Sequence, residues 1–76
     1  MQDGWIKTTR KSIPKPGEIV EVRFKDDEIG IGFWKMVPFK LTEIMEWRLL
    51  NDYKKFEIVN CPTHWRLYLG EKWWEK

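Results

Sequence analysis

From Gly17 to Met36 the chain reads GEIVEVRFKDDEIGIGFWKM, and this stretch limits the possible folds more than any other. Val20, Val22 and Phe24 alternate with Glu21 and Arg23, the period of two that places apolar side chains on one face of a strand. Lys25, Asp26 and Asp27 interrupt the pattern as a turn does, and Ile29, Ile31 and Phe33 resume it. The stretch is therefore predicted to be an antiparallel hairpin. Gly30 and Gly32 fall on the face opposite Ile29, Ile31 and Phe33, followed there by Trp34 and Met36. Paired glycines inside a strand imply a sharp bend, a bulge, or a neighbouring ring lying across bare backbone. Pro38 is expected to end the second strand.

The remainder can be read around this hairpin. Trp5 and Ile6 are the first apolar pair and are expected to pin the N-terminal segment to the sheet, with Met1 to Gly4 frayed. Ser12 to Gly17 contains two prolines and a closing glycine, a turn leading into the first hairpin strand. Residues 41–53 suit either of two structures. Thr42 could cap a helix carrying Met45, Leu49 and Tyr53 at intervals of four, while Met45, Trp47 and Leu49 alternate with Glu46 and Arg48 as in a strand. The strand is preferred, because Asn51-Asp52 makes a turn into Phe56 to Val59, a natural partner. Cys61 and Pro62 break the chain; His64, Arg66 and Tyr68 then alternate with Trp65, Leu67 and Leu69 until Gly70. Residues 70–76 form a charged tail with adjacent Trp73 and Trp74.

The expected fold is all-β, one domain over residues 1–76, with about five antiparallel strands in a strongly coiled sheet or SH3-like barrel. A chain of 76 residues is near the lower limit for a core without metal or disulfide support. Six Trp, four Phe and two Tyr offset that limit, since each ring removes a large apolar area from water. The expected core is Val20, Val22, Phe24, Ile31, Phe33, Trp47, Phe56, Ile58, Trp65 and Leu67.

The chemistry-bearing residues argue against an enzyme. His64 is the only histidine, so a histidine metal cluster is excluded, and no orienting carboxylate or nucleophile accompanies it. Thr63, its neighbour, is expected on the opposite face; His64 is read as fixing the corner before Trp65 by hydrogen bonds. Cys61 is the only cysteine, which excludes a disulfide framework within the chain and a thiolate zinc site; it is read as a small buried hydrophobe. Asp26, Asp27 and Glu28 lack the spacing of a calcium loop and read as a solvated turn. No cofactor is expected. No apolar run reaches membrane-spanning length and the N-terminus is unlike a signal peptide, which points to a soluble, intracellular protein.

The net charge of +2 is small but uneven: residues 1–16 hold Lys7, Arg10, Lys11 and Lys15 against Asp3, a surplus of +3 that leaves −1 for the rest. Such a leading segment is most simply a solvated one, and it could also touch phosphates or an acidic partner.

Several short motifs occur in the order of a known family. Trp5-Ile6 near the start is followed by the turn Ser12-Ile13-Pro14 with Gly17, by the V-x-V hairpin with its glycines, and finally by Pro62-Thr63-His64-Trp65. Over about residues 5–69 the chain resembles the domain of unknown function 551 family, small proteins found largely in phages and prophages. The resemblance implies a compact β-rich fold and a phage or prophage context, and it supplies no catalytic residue.

Two functional readings result. The first is a non-enzymatic phage or prophage accessory protein that binds and inhibits a host protein, for example a defence factor. Its expected contact residues are Trp73, Trp74, Arg66, His64 and Tyr68, because adjacent tryptophans on an extended tail face opposite ways and tryptophan is enriched at binding hot spots. The alternative is a small β-barrel nucleic-acid-binding module using Arg10, Lys11, Lys54, Lys55, Arg66 and the tryptophan pair. A homodimer through an edge strand is a third possibility.

Overall fold

The computed structural model describes residues 4–75. Of the N-terminal stretch expected to fray, Met1 to Asp3 lie outside these residues. Six antiparallel strands form one sheet: β1 (Ile6–Lys7), β2 (Val20–Arg23), β3 (Ile29–Phe39), β4 (Thr42–Leu50), β5 (Phe56–Val59) and β6 (His64–Leu67). Their order across the sheet is β1-β6-β2-β3-β4-β5, and β1 and β5 do not meet, so the sheet is coiled and open rather than a closed barrel. The sixth strand is the short Ile6-Lys7 pair, which hydrogen-bonds along β6 with Ile6 opposite Trp65. The strand reading of residues 41–53 holds, since β4 occupies most of that stretch. The final strand is shorter than its alternation suggests, ending at Leu67.

The β2–β3 hairpin forms where the alternation places it. Its turn is closed by Asp27 N donating to Phe24 O and Phe24 N donating to Glu28 O, each at 2.9 Å, with Asp27 at φ 66°. The face of β3 that turns to the core differs from the expected one. Val22 stands opposite Gly30 and Val20 opposite Gly32, so the glycines and Trp34 share the valine face. Ile31 and Phe33 lie on the other face. Because side chains alternate, a change of face moves every one of them across the sheet, and here it brings two glycines into the core.

Leu49 and the Arg48 backbone lie over the glycines, and three tryptophans build the core beside them. The core consists of Val20, Val22, Trp34, Trp47 and Trp65, with Ile13, Phe24, Leu49 and Val59 packed against it. Trp34 stands opposite Trp47 across β3 and β4, and Trp65 stands opposite Val22 across β6 and β2. Both Trp34 and Trp65 turn their indole N–H to the proline-containing turn: Trp34 Nε1 donates to Pro14 O at 2.8 Å, and Trp65 Nε1 to Ser12 O at 2.9 Å. The turn is thus held by two core rings whose polar atoms need an acceptor when buried. Gly17 completes it at φ 81°, a conformation open to glycine.

Five expected core residues lie elsewhere. Ile31, Phe33 and Phe56 are half-buried on the opposite face; Ile58 is 67% exposed and Leu67 56% exposed. On that opposite face Phe33 meets Phe56 edge-on at 4.9 Å between centroids, and Trp74 meets Phe56 at 6.2 Å and Tyr68 at 5.8 Å. The tail is not extended. It closes into a 3-10 turn, Trp73–Glu75, that sets Trp74 onto these rings.

Pro38 does not end β3, which runs on to Phe39. Strand residues point their N–H and C=O alternately to either side, and the Trp34 carbonyl accepts from Gly17 N at 2.8 Å, on the side away from β4. Met36 and Pro38 share that orientation, so the missing N–H of Pro38 falls on an open edge and costs no bond to β4. β2 pairs with β3 only as far as Gly32, and β5 with β4 only as far as Trp47. Beyond them, the pairs from Lys35↔Glu46 to Phe39↔Thr42 form a two-stranded arm that projects from the sheet.

Candidate functional site

The expected contact residues occupy the sheet face away from the valines, where they fall into two clusters. In the first, Arg66 is ion-paired with Glu21 directly opposite it, and its guanidinium lies 4.2 Å from the Trp5 ring centroid. The Arg23 guanidinium approaches the same ring at 5.4 Å. Trp5 thereby covers two cations, which explains how a residue before the first strand is anchored. His64 Nδ1 is 3.0 Å from Thr63 Oγ1 and 3.4 Å from Arg23 Nη2. Thr63 therefore does not point away from His64, because it lies just before β6 and donates from Oγ1 to Arg23 O at 3.0 Å.

In the second cluster, Tyr68 donates its hydroxyl to Glu71 O at 2.6 Å and packs against Trp74. Trp74 is half-buried, whereas Trp73 is 44% exposed and touches Trp74 edge-on at 5.7 Å. Of the two tail tryptophans, Trp73 is the accessible one.

The arm carries exposed apolar side chains that the sequence reading did not assign to a site. Met36, Phe39, Ile44 and Met45 are each 40–50% exposed, and Leu41 at the tip is fully exposed. They occupy both faces: Met36 stands opposite Met45 on one, Val37 opposite Ile44 on the other. The tip turns through Lys40 at φ 57°. A signal was present, since residues 36–45 contain six apolar residues besides Pro38, without the alternation a half-buried strand requires. Reading Pro38 as a strand end hid it by dividing the run in two.

The remaining candidates offer little chemistry. Asp26 Oδ1 accepts from Glu28 N at 3.2 Å, as in a solvated turn. A cleft of about 480 Å³ beside this turn is lined by Phe24, Leu49 and Val59 together with Asp26 and Glu28. Cys61 is exposed, contrary to the buried site expected of it: it follows the end of β5 at Val59, and its neighbour Pro62 is the residue buried there. Enough protein still surrounds its sulfur for burial to push the thiol pKa above the ordinary value, with the Trp47 indole N–H pulling the other way. That N–H is buried and otherwise without a hydrogen-bond partner. Among the described residues, no group of three or more His, Cys, Asp or Glu is placed to hold a metal ion, and no helix is long and apolar enough to cross a membrane.

No family model, curated protein or solved structure matches the chain.

Proposed function

We propose that the protein is a non-enzymatic binding module, a phage or prophage accessory protein that docks on a host protein in the bacterial cytoplasm and inhibits it. The observation supporting this reading is the arm. A small sheet that leaves Met36, Phe39, Leu41, Ile44 and Met45 exposed on a projecting hairpin presents apolar side chains its own core does not use. Such concentrations on a protein surface mark interaction sites. The lysines at 35 and 40 and the acids at 43 and 46 ring the apolar positions with charge, the distribution of an interface with an apolar centre and polar rim. Trp73 is a secondary contact.

The nucleic-acid reading is weaker on one specific ground: Arg66, its most central cation, is engaged by Glu21 and covered by Trp5. The test is affinity capture of the tagged chain from bacterial lysate, with and without nuclease, comparing wild type with a Met36→Ser/Phe39→Ser variant. One host protein enriched despite nuclease and reduced by about tenfold in the variant supports the reading. Capture that disappears with nuclease, or that the variant leaves unchanged, overturns it.

A further inference from the structure

We propose that the free edge of β4 in the arm pairs with the same edge of a second copy, antiparallel, about a two-fold axis at Ile44. This goes beyond the partner-binding reading: it rests on the backbone edge of β4, shares Leu41, Ile44 and Met45 with that reading, and is tested separately because Met36 and Phe39, the residues changed in the capture experiment, lie on β3.

The direction of the backbone groups is the starting point. Asn51 N donates to Lys55 O at 2.8 Å across the β4–β5 hairpin. By alternation Leu49, Trp47, Met45 and Glu43 turn their N–H and C=O to that same side. β5 meets Trp47 through Val59 and then ends, so Glu43 and Met45 present their backbone groups where no strand of the chain lies. An edge of this kind is a template for another strand. The other edge of the arm is different, since Pro38 has no N–H to offer there. One open and one blunted edge favour pairing of like with like, which closes at two copies rather than growing into a filament.

The register follows from the length of the open edge. It runs from Thr42 to Glu46, bounded by the Lys40-Leu41 tip and by the end of β5 beside Trp47. Ile44 is its midpoint, so two antiparallel edges overlap in full only when Ile44 faces Ile44 of the second copy. In that register each Glu43 faces Met45 of the other copy, and each such pair exchanges two backbone hydrogen bonds. Moving the axis to Glu43 sets two carboxylates against each other. Moving it to Met45 drives each arm two residues further, so that the paired strand residue Glu43, and not only the tip, reaches Trp47, whose edge β5 already occupies.

The same register accounts for Leu41. Each arm tip comes level with Trp47 and the end of β5 of the second copy. There a groove of about 440 Å³ opens, lined by Trp47, Ile58, Val59 and Cys61 together with Ile44 and Met45. Leu41 is a fully exposed apolar side chain, and Ile58 in the groove wall is also largely exposed. Pairing covers both.

The test is the mass of the full chain by size exclusion with light scattering, from about 1 to about 500 μM. A dimer of twice 9.4 kDa is expected to form as concentration rises. A monomer throughout overturns the proposal and leaves the edge to a different chain. Met45→Pro removes an outward N–H while sparing the bonds to β3, as Pro38 does on the other edge, and should weaken association by about tenfold or more. A Met45→Pro variant that still dimerises like wild type overturns the proposal. If circular dichroism shows that variant unfolded, Ile44→Lys replaces it, since two like charges then face each other. On a Cys61→Ser background, Ile44→Cys should cross-link readily under oxidation and Thr42→Cys should not; the reverse order overturns the register.

Discussion

The backbone carbonyl of Arg48 lies over the bare Cα of Gly32, so close that a Cβ at residue 32 would collide with it. At Gly30 the atom in the way is Cδ1 of Leu49, the mobile end of a side chain. The two glycines share a strand and a face, yet they differ in what must move to admit a methyl group.

Gly32→Ala is therefore expected to destabilise strongly, at or above the upper end of the ~1–3 kcal/mol typical of overpacking, because a backbone must shift. Gly30→Ala should cost about 1 kcal/mol or less, since Leu49 can change rotamer. Thermal melts check the order. For a chain of this size ~1 kcal/mol corresponds to roughly 4–8 °C, so the two variants separate clearly. Equal melting temperatures would contradict the close approach of β4 to Gly32.

The indole hydrogen bonds to Ser12 and Pro14 give a second expectation. Trp34→Phe keeps most of the ring but removes the donor to a buried carbonyl, a loss of about 1–3 kcal/mol. Trp65→Ala removes a buried ring as well and should cost ~3–5 kcal/mol. Urea unfolding measures both. An unchanged midpoint for Trp65→Ala would remove Trp65 from the core.

Much of the fold was legible, and the misreadings have a common cause. Alternation in β2, β4 and β6 located the strands, because a half-buried antiparallel strand needs it. It could not decide which face of β3 turns inward, since Ile31 and Phe33 look more like core than Gly30 and Gly32 do. That choice depends on β4, which lays Leu49 and the Arg48 backbone over the glycines and sets Trp47 opposite Trp34, contacts between strands distant from the turn. The other face then also gained an aromatic cluster, Phe33, Phe56, Tyr68 and Trp74, so apolar residues occupy both sides. The arm was missed for a similar reason: whether Pro38 breaks a strand depends on which edge its nitrogen faces, which composition does not reveal.

Cys61 provides a prediction in pH. Burial raises its thiol pKa, so at neutral pH the folded chain should alkylate with iodoacetamide more slowly than the chain unfolded in urea. Because the folded pKa lies above the unfolded one, the associated stabilisation is present below the unfolded pKa and is lost as pH rises through the folded value. Trp47→Phe deletes the N–H that lowers the pKa, so the alkylation profile should move to still higher pH. A shift to lower pH would mean that Trp47 acts on Cys61 mainly by burying it.

Trp73 and Trp74 are adjacent in sequence but should respond differently to truncation. Trp74 meets Phe56, Tyr68 and Trp73, and each aromatic contact adds ~0.5–1.5 kcal/mol beyond the area it buries. Trp74→Ala should therefore lower stability by a few kcal/mol and release the tail, detected as faster amide exchange at Tyr68 and Glu71. Trp73 is accessible and contributes mainly the one edge-on contact, so Trp73→Ala should change the melting temperature little. If Trp73 is a secondary contact for the host protein, its truncation weakens capture while folding is preserved. Met36→Ser/Phe39→Ser should weaken capture more, because the arm presents more apolar surface than a single ring. Finding the larger loss with Trp73→Ala would return the principal binding surface to the tail.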